Sequence, residues 1–167
     1  TGSMDVTMNI DAAVTFAHDI MPMVRDGVPG AEFWVVGRNP DRRVRALSRI
    51  PGVTVTGTVD DVRPYYARAK VFVAPFRFGG GTKLKVLEAM AAGVPVVSTP
   101  VGCQGLDVVR GEHCWVEETS REFAERVIEL LEHEDRRQAT VQPARKLVEE
   151  KYDWSTVLGP VVQRLEK

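Results

Sequence analysis

An α/β fold, with a mostly parallel sheet between two layers of helix, is the class this sequence predicts. Two observations carry the prediction. Short β-branched runs alternate with helical patterns along the chain, and glycines stand where those runs hand over to loops. Alternation of this kind calls for parallel strands, because a parallel neighbour is reached only through a crossover long enough to hold a helix.

Taken in order, the chain opens on Thr1-Gly2-Ser3-Met4-Asp5. This reads as the loop after a first strand that has been cut away, so a fragment of a longer protein is expected. A helix follows, because Ile10, Ala13, Val14, Ala17, Ile20, Met21 and Val24 recur at three- and four-residue steps and make one apolar stripe. Asn9 is its expected N-cap, with the Asp11 carboxylate in the first turn, and Pro22 is expected to kink the helix or end it early. His18 lies beside the stripe, as a surface residue. Strands are expected over 33–36 and 53–56, closed by Gly37 and Gly57. Asp60-Asp61 then stand where they cap a helix over 62–69.

A strand over 71–74 leads through Pro75 to Gly79-Gly80-Gly81-Thr82 and a helical run over 83–92. Gly93 ends that run and a strand over 94–98 follows, then a short one over 114–116. Phe123, Val127, Leu130 and Leu131 mark another amphipathic helix, and Leu147 and Val148 a further one. Trp154, Val157, Leu158, Val161 and Leu165 mark a last, which Pro160 interrupts.

At 167 residues the chain fits one domain spanning 1–167. Its 44% hydrophobic and 27% charged residues are those of an ordinary globular protein. Lys and Arg number 22 against 23 Asp and Glu, a net charge of -1, which argues against a dedicated nucleic-acid binder. Cys103 and Cys114 are too few and too far apart in sequence for a zinc site or a disulfide framework, so buried free thiols in a reducing compartment are expected. His113 and His133 lack partners at metal-ligand spacing. No stretch approaches the ~20 apolar residues of a spanning helix. A soluble, cytoplasmic domain is expected, touching a membrane only through a part of the protein outside this sequence.

The chemistry concentrates between residues 71 and 99. Three glycines and a threonine stand at the start of a helix that follows a strand. The first turn of a helix leaves N–H groups unpaired and carries partial positive charge, and glycines let an anion approach the backbone closely. A phosphate site is a natural use, and a plain glycine turn with Thr82 as N-cap is the bland one. Lys85 and Glu88, three apart, share a helix face near that first turn. An exposed ion pair is one use for them. A carboxylate accepting the two hydroxyls of a ribose is the other, as in dinucleotide folds.

The run Gly79-Gly80-Gly81-Thr82-Lys83-Leu84-Lys85-Val86-Leu87-Glu88-Ala89-Met90-Ala91-Ala92-Gly93-Val94-Pro95-Val96-Val97 resembles the donor-site segment of the group 1 (GT4) glycosyltransferases. Supporting blocks stand in the family's order: Asn9-Ile10-Asp11-Ala12, Val35-Val36-Gly37-Arg38-Asn39-Pro40, Val55-Thr56-Gly57-Thr58-Val59-Asp60-Asp61 and Tyr152-Asp153-Trp154. The resemblance implies the Rossmann-like C-terminal half of a GT-B enzyme, its acceptor-binding N-terminal domain lying outside this sequence. It implies transfer of a hexosyl group from a nucleoside-diphosphate sugar, with no metal ion and no other cofactor.

Glu88 matches the second glutamate of the family's E-x7-E motif, which binds the donor's ribose. Gly80, Gly81 and Thr82 fall in the loop facing sugar and diphosphate, Arg38 and the Gly57 to Val59 turn fall near the nucleoside, and Lys85 helps neutralise phosphate. One position departs: the motif's first glutamate is replaced by Gly80. The resemblance implies that the isolated chain transfers no sugar and that its partners are the nucleotide sugar and the N-terminal domain. A sugar-nucleotide epimerase of the same architecture is the alternative within enzymes. A receiver-like regulatory module is the alternative outside them, and it leaves the glycine loop without a purpose.

Overall fold

The computed structural model of the chain describes residues 1–156. Its first strands are β1 (Phe33–Val36) and β2 (Val53–Gly57), paired in parallel with Phe33 opposite Val53 and Val35 opposite Val55. The others are β3 (Phe72–Ala74), β4 (Val96–Ser98) and β5 (Trp115–Val116), also parallel, with β4 in the middle and Val97 between Val73 and Trp115. Every strand lies on an expected β-branched run: β1 has the expected bounds, β2 is lengthened to include Gly57, and β3, β4 and β5 start a residue or two later.

Among the described residues no ladder joins β1 to β3. An apolar slot of about 400 Å³ separates them, walled by Val35 and Val36 on one side and Phe72 and Val73 on the other. The Gly2 N–H donates to the Val36 carbonyl at 3.1 Å at the carboxyl end of this slot. In doubly wound sheets the strand order 3-2-1-4-5-6 sets one more parallel strand in this position. Among the described residues no strand fills that position.

The helices form two layers. On one face α1 (Thr7–Thr15), α2 (Met21–Gly27), α3 (Arg42–Ala46) and α6 (Ser120–Glu132) bury Ile10, Ala13, Val24, Val44 and Phe123. On the other, α4 (Arg63–Arg68), α5 (Leu84–Ala91) and α7 (Glu134–Lys151) bury Tyr66, Val86, Met90 and Ala144. The three-layer sandwich is therefore as expected. The last helical pattern, from Trp154 to Leu165 with Pro160 inside it, lies outside the described residues beyond position 156.

Local chemistry departs from expectation at the first helix. It starts at Thr7 behind Val6, with no side-chain cap, and Asn9 sits buried inside the first turn. The Asn9 amide instead donates to the Ser3 carbonyl at 2.8 Å, tying the opening loop to the helix. Asp11 pairs with Arg77 across the molecule. Pro22 does not end the helix: a π-helical turn over Phe16–Ile20 shifts the hydrogen-bond register and sets Pro22 in the first turn of α2, where its missing N–H costs nothing. His18 is exposed as expected.

Val62, with no side-chain cap, holds the N-cap position of α4, and Asp61 serves the helix from one residue outside it, accepting from the Arg63 N–H at 2.9 Å. Cys103 and Cys114 are free and buried, and their sulfurs lie 3.6 Å apart despite the sequence between them. Gly37 has a packing reason beyond turn chemistry, since a Cβ there would meet the Gly2 carbonyl oxygen at 1.7 Å.

Candidate functional site

In an open α/β sheet the ligand crevice forms outside the carboxyl ends of the strands, where the chain order reverses. Here the reversal is the crossover from β2 through α4 to β3, which carries the chain past β1 to the far side of the slot. Three segments meet at that edge: the opening loop before α1, the segment after β2, and the loop from β3 into α5. Between them lies a crevice of about 410 Å³, lined by Gly2 and Met8, by Val62, and by Thr82, Lys85 and Glu88.

Glu88 and Lys85 reach the crevice because α5 buries its opposite face. Val86, Leu87, Ala89 and Met90 are in the core, so the remaining face points outward. The Glu88 side chain is exposed at the crevice, and its Oε2 accepts from the Tyr66 hydroxyl at 3.2 Å. Tyr66 also shares a 3.0 Å hydrogen bond with the Thr1 hydroxyl. A phenol has one proton, so when Tyr66 donates to Glu88 it accepts from Thr1. Burial, reinforced by the neighbouring Glu88 carboxylate, pushes the phenol above its ordinary value and keeps that proton in place.

The Lys85 ammonium donates to Asn9 Oδ1 at 2.5 Å, which explains the burial of Asn9 in α1. Burial lowers the ammonium from 10.5 to about 8. No ion pair joins Lys85 to Glu88 among the described residues, although the two share a helix face. Both side chains line the crevice.

The glycine loop takes a different form from the one its sequence suggests. The α5 helix begins at Leu84, with Lys83 in the N-cap position and no side-chain cap, so Thr82 is not an N-cap. Gly79 and Gly81 occupy positive φ, +112° and +75°, where a side chain would be strained. Lys83 is 2% exposed, between two exposed neighbours, and its ammonium donates to the carbonyls of Gly79, Gly80 and Gly81 at 3.1, 2.9 and 3.0 Å.

The structure thus brings Glu88, Lys85 and Thr82 to one crevice, with Gly80 and Gly81 in the adjoining loop. Arg38 is exposed and does not line the crevice, its Nε donating to Ser3 Oγ at 3.2 Å. Gly57 ends β2 and Val59 follows it, and neither lines the crevice; Val62 is the residue of that segment that does. Sequence reasoning missed Lys83, Tyr66 and Asn9. A signal existed for each in helical spacing: Lys83 falls in line with Val86, Leu87 and Met90, and Tyr66 with Val62 and Ala69. Asn9 falls in line with Ala12, Ala13 and Phe16.

A model of the family "Glycosyl transferases group 1" matches residues 1–133. A phosphatidyl-myo-inositol mannosyltransferase of Mycobacterium leprae (strain TN) is 27% identical over 154 residues, covering 89% of this chain and 41% of that protein. An uncharacterized 44.6 kDa protein in the cps region of Klebsiella pneumoniae is 22% identical over 168 residues, covering 96% and 43%. The chain therefore spans less than half the length of these curated relatives.

Among solved structures, a mutant of S. aureus TarM in complex with fondaparinux, alpha-GlcNAc-glycerol and UDP superposes with a TM-score of 0.79 at 18% identity, over 97% of this chain and 34% of that one. The C-terminal domain of a glycosyl transferase group 1 family protein (LpcC) from Francisella tularensis superposes with a TM-score of 0.72 at 20% identity, over 92% and 84%. At these identities the superpositions speak for the fold.

Proposed function

The chain belongs to the group 1 glycosyl transferases, and from that membership we propose that it is the C-terminal, sugar-donor half of a GT4 enzyme of GT-B architecture. It binds a nucleoside-diphosphate sugar, whose hexosyl group passes to an acceptor held by a domain outside this sequence. The observation that carries the reading is the crevice at the switch point of the sheet, where Glu88, Lys85 and the glycine loop converge. Support comes from the superposed relatives: TarM is described in complex with UDP, and Anabaena Alr3699/HepE in complex with UDP and glucose.

Each group has a role that follows from its surroundings. The Glu88 carboxylate, oriented by Tyr66, accepts hydrogen bonds from the ribose hydroxyls. Lys85, released from Asn9, places a positive charge against the diphosphate, and the backbone amides of the glycine loop add to it. Charge neutralisation by these groups takes the place of a metal ion and needs no other cofactor. Arg38, held by Ser3 of the opening loop, serves the nucleoside together with the Gly57 to Val59 turn. No helix of the described residues is long and apolar enough to cross a membrane. In this reading the protein is cytoplasmic and any membrane contact belongs to the domain outside this sequence.

Titration of the 167-residue chain with UDP, GDP and ADP by calorimetry tests the reading. Weak binding of one nucleotide is expected, because one wall of a two-walled cleft is present, with no sugar transfer above buffer hydrolysis. Absence of any response at millimolar nucleotide would overturn the reading.

A further inference from the structure

Lys83 is the one residue of the glycine loop that no role above employs. Its ammonium carries three protons, and three carbonyls receive them. The Phe76 ring, 5.8 Å from Nζ, lies beside the same group. Among the described residues no carboxylate pairs with it. A charge taken this far out of water must be compensated, and here three backbone dipoles of consecutive residues do so.

That arrangement has a geometric consequence. A trans peptide is planar, with its C=O and N–H pointing in opposite directions. Turning the carbonyls of Gly79, Gly80 and Gly81 inward to Lys83 turns the N–H groups of Gly80, Gly81 and Thr82 outward. Among the described residues none of those three N–H groups donates within the chain. The loop is also unobstructed, since a Cβ placed on Gly80 or Gly81 would meet nothing within 4 Å. Successive outward N–H groups over a buried positive charge form an anion-binding concavity.

We infer that Lys83 is a positioning residue: it folds the glycine loop so that the backbone amides of Gly80, Gly81 and Thr82 meet the diphosphate of the nucleotide, without touching the nucleotide itself. The inference rests on the nucleotide-binding reading above.

The test compares a nucleoside diphosphate with its own nucleoside, taking whichever of UDP, GDP and ADP binds wild type best. Lys83→Met keeps the length of the side chain and removes its donors. Affinity for the diphosphate is expected to fall by about tenfold or more while affinity for the nucleoside stays unchanged. Lys83→Arg keeps the charge, but its planar fork does not match three converging carbonyls, so it is expected not to rescue.

Equal losses for both ligands would make Lys83 merely structural and overturn the inference, and full rescue by arginine would overturn it in favour of bulk charge. Because either variant can fail to fold, wild type is also followed by 15N amide shifts. Gly80, Gly81 and Thr82 are expected to move with the diphosphate and not with the nucleoside, and identical responses to both would overturn the inference while leaving the nucleotide-binding reading intact. A wild type that binds neither ligand overturns that reading and the inference with it.

Discussion

Glu88 presents a carboxylate to the crevice while its Oε2 accepts from Tyr66, and one substitution separates its binding role from a structural one. Glu88→Gln keeps the shape and weakens hydrogen bonds to the ribose hydroxyls, since bonds to charged groups contribute roughly 1.5–3 kcal/mol. Nucleotide affinity is expected to fall by about one to two orders of magnitude. The melting temperature of the empty domain is expected to stay nearly unchanged, because an exposed carboxylate adds little to folding. Calorimetry and thermal melts on the same variant check both halves, and unchanged affinity would leave Glu88 a surface charge.

Lys85 gives a pH signature. Its folded-state value of about 8 lies below the 10.5 of the unfolded chain, so between those two values the unfolded chain binds more protons and stability rises with pH. Below about 8 the burial penalty is present in full. Denaturation of wild type against Lys85→Met across pH 7–11 is expected to show a rise in wild type that the variant lacks. Nucleotide affinity moves the other way, falling above about pH 8 as the positive charge is lost.

Among the elements, legibility followed the strength of the periodic signal. The five strand centres were visible because β-branched residues cluster where a sheet is buried on both faces, and Val96 and Val97 are fully buried. The stripe of the first helix was visible for the same reason, and Ile10, Ala17, Ile20 and Val24 all lie in the core. Hidden from view was whatever depends on a distant partner. Asn9 looked like an N-cap because the groups it serves, the Ser3 carbonyl and the Lys85 ammonium, lie on other segments.

The π-helical turn before Pro22 is one added residue in the hydrogen-bond ladder, which no hydrophobic pattern resolves. In the candidate site, Glu88 and Lys85 were legible because they stand on the outward face of a helix next to a glycine cluster. Lys83 was not, because a lysine among exposed neighbours reads as solvated until the loop carbonyls around it are seen. Arg137 is a second case: an arginine next to another in sequence reads as solvated, yet its guanidinium donates to the Leu130 carbonyl at 2.7 Å and closes the end of α6.

For the whole molecule, the slot between β1 and β3 divides the sheet into two ladders held together by helices. The candidate site straddles that division: Gly2 and Met8 stand on one side, and Thr82, Lys85 and Glu88 on the other. Mechanically, a sheet resists shear through its ladder hydrogen bonds, and along this seam the resistance falls to side-chain packing and to side-chain hydrogen bonds such as Lys85–Asn9 and Arg77–Asp11. The seam is the compliant line of the molecule, and it runs directly beneath the crevice. Amide exchange is expected to be slowest at Val97, flanked by strands on both sides, and faster at Val35 and Val73 beside the slot. Whatever stiffens that line, a strand seated in the slot or a nucleotide laid across the crevice, sharpens the spacing of both banks at once. Grip on the nucleotide and rigidity of the sheet are then two readings of one spring constant.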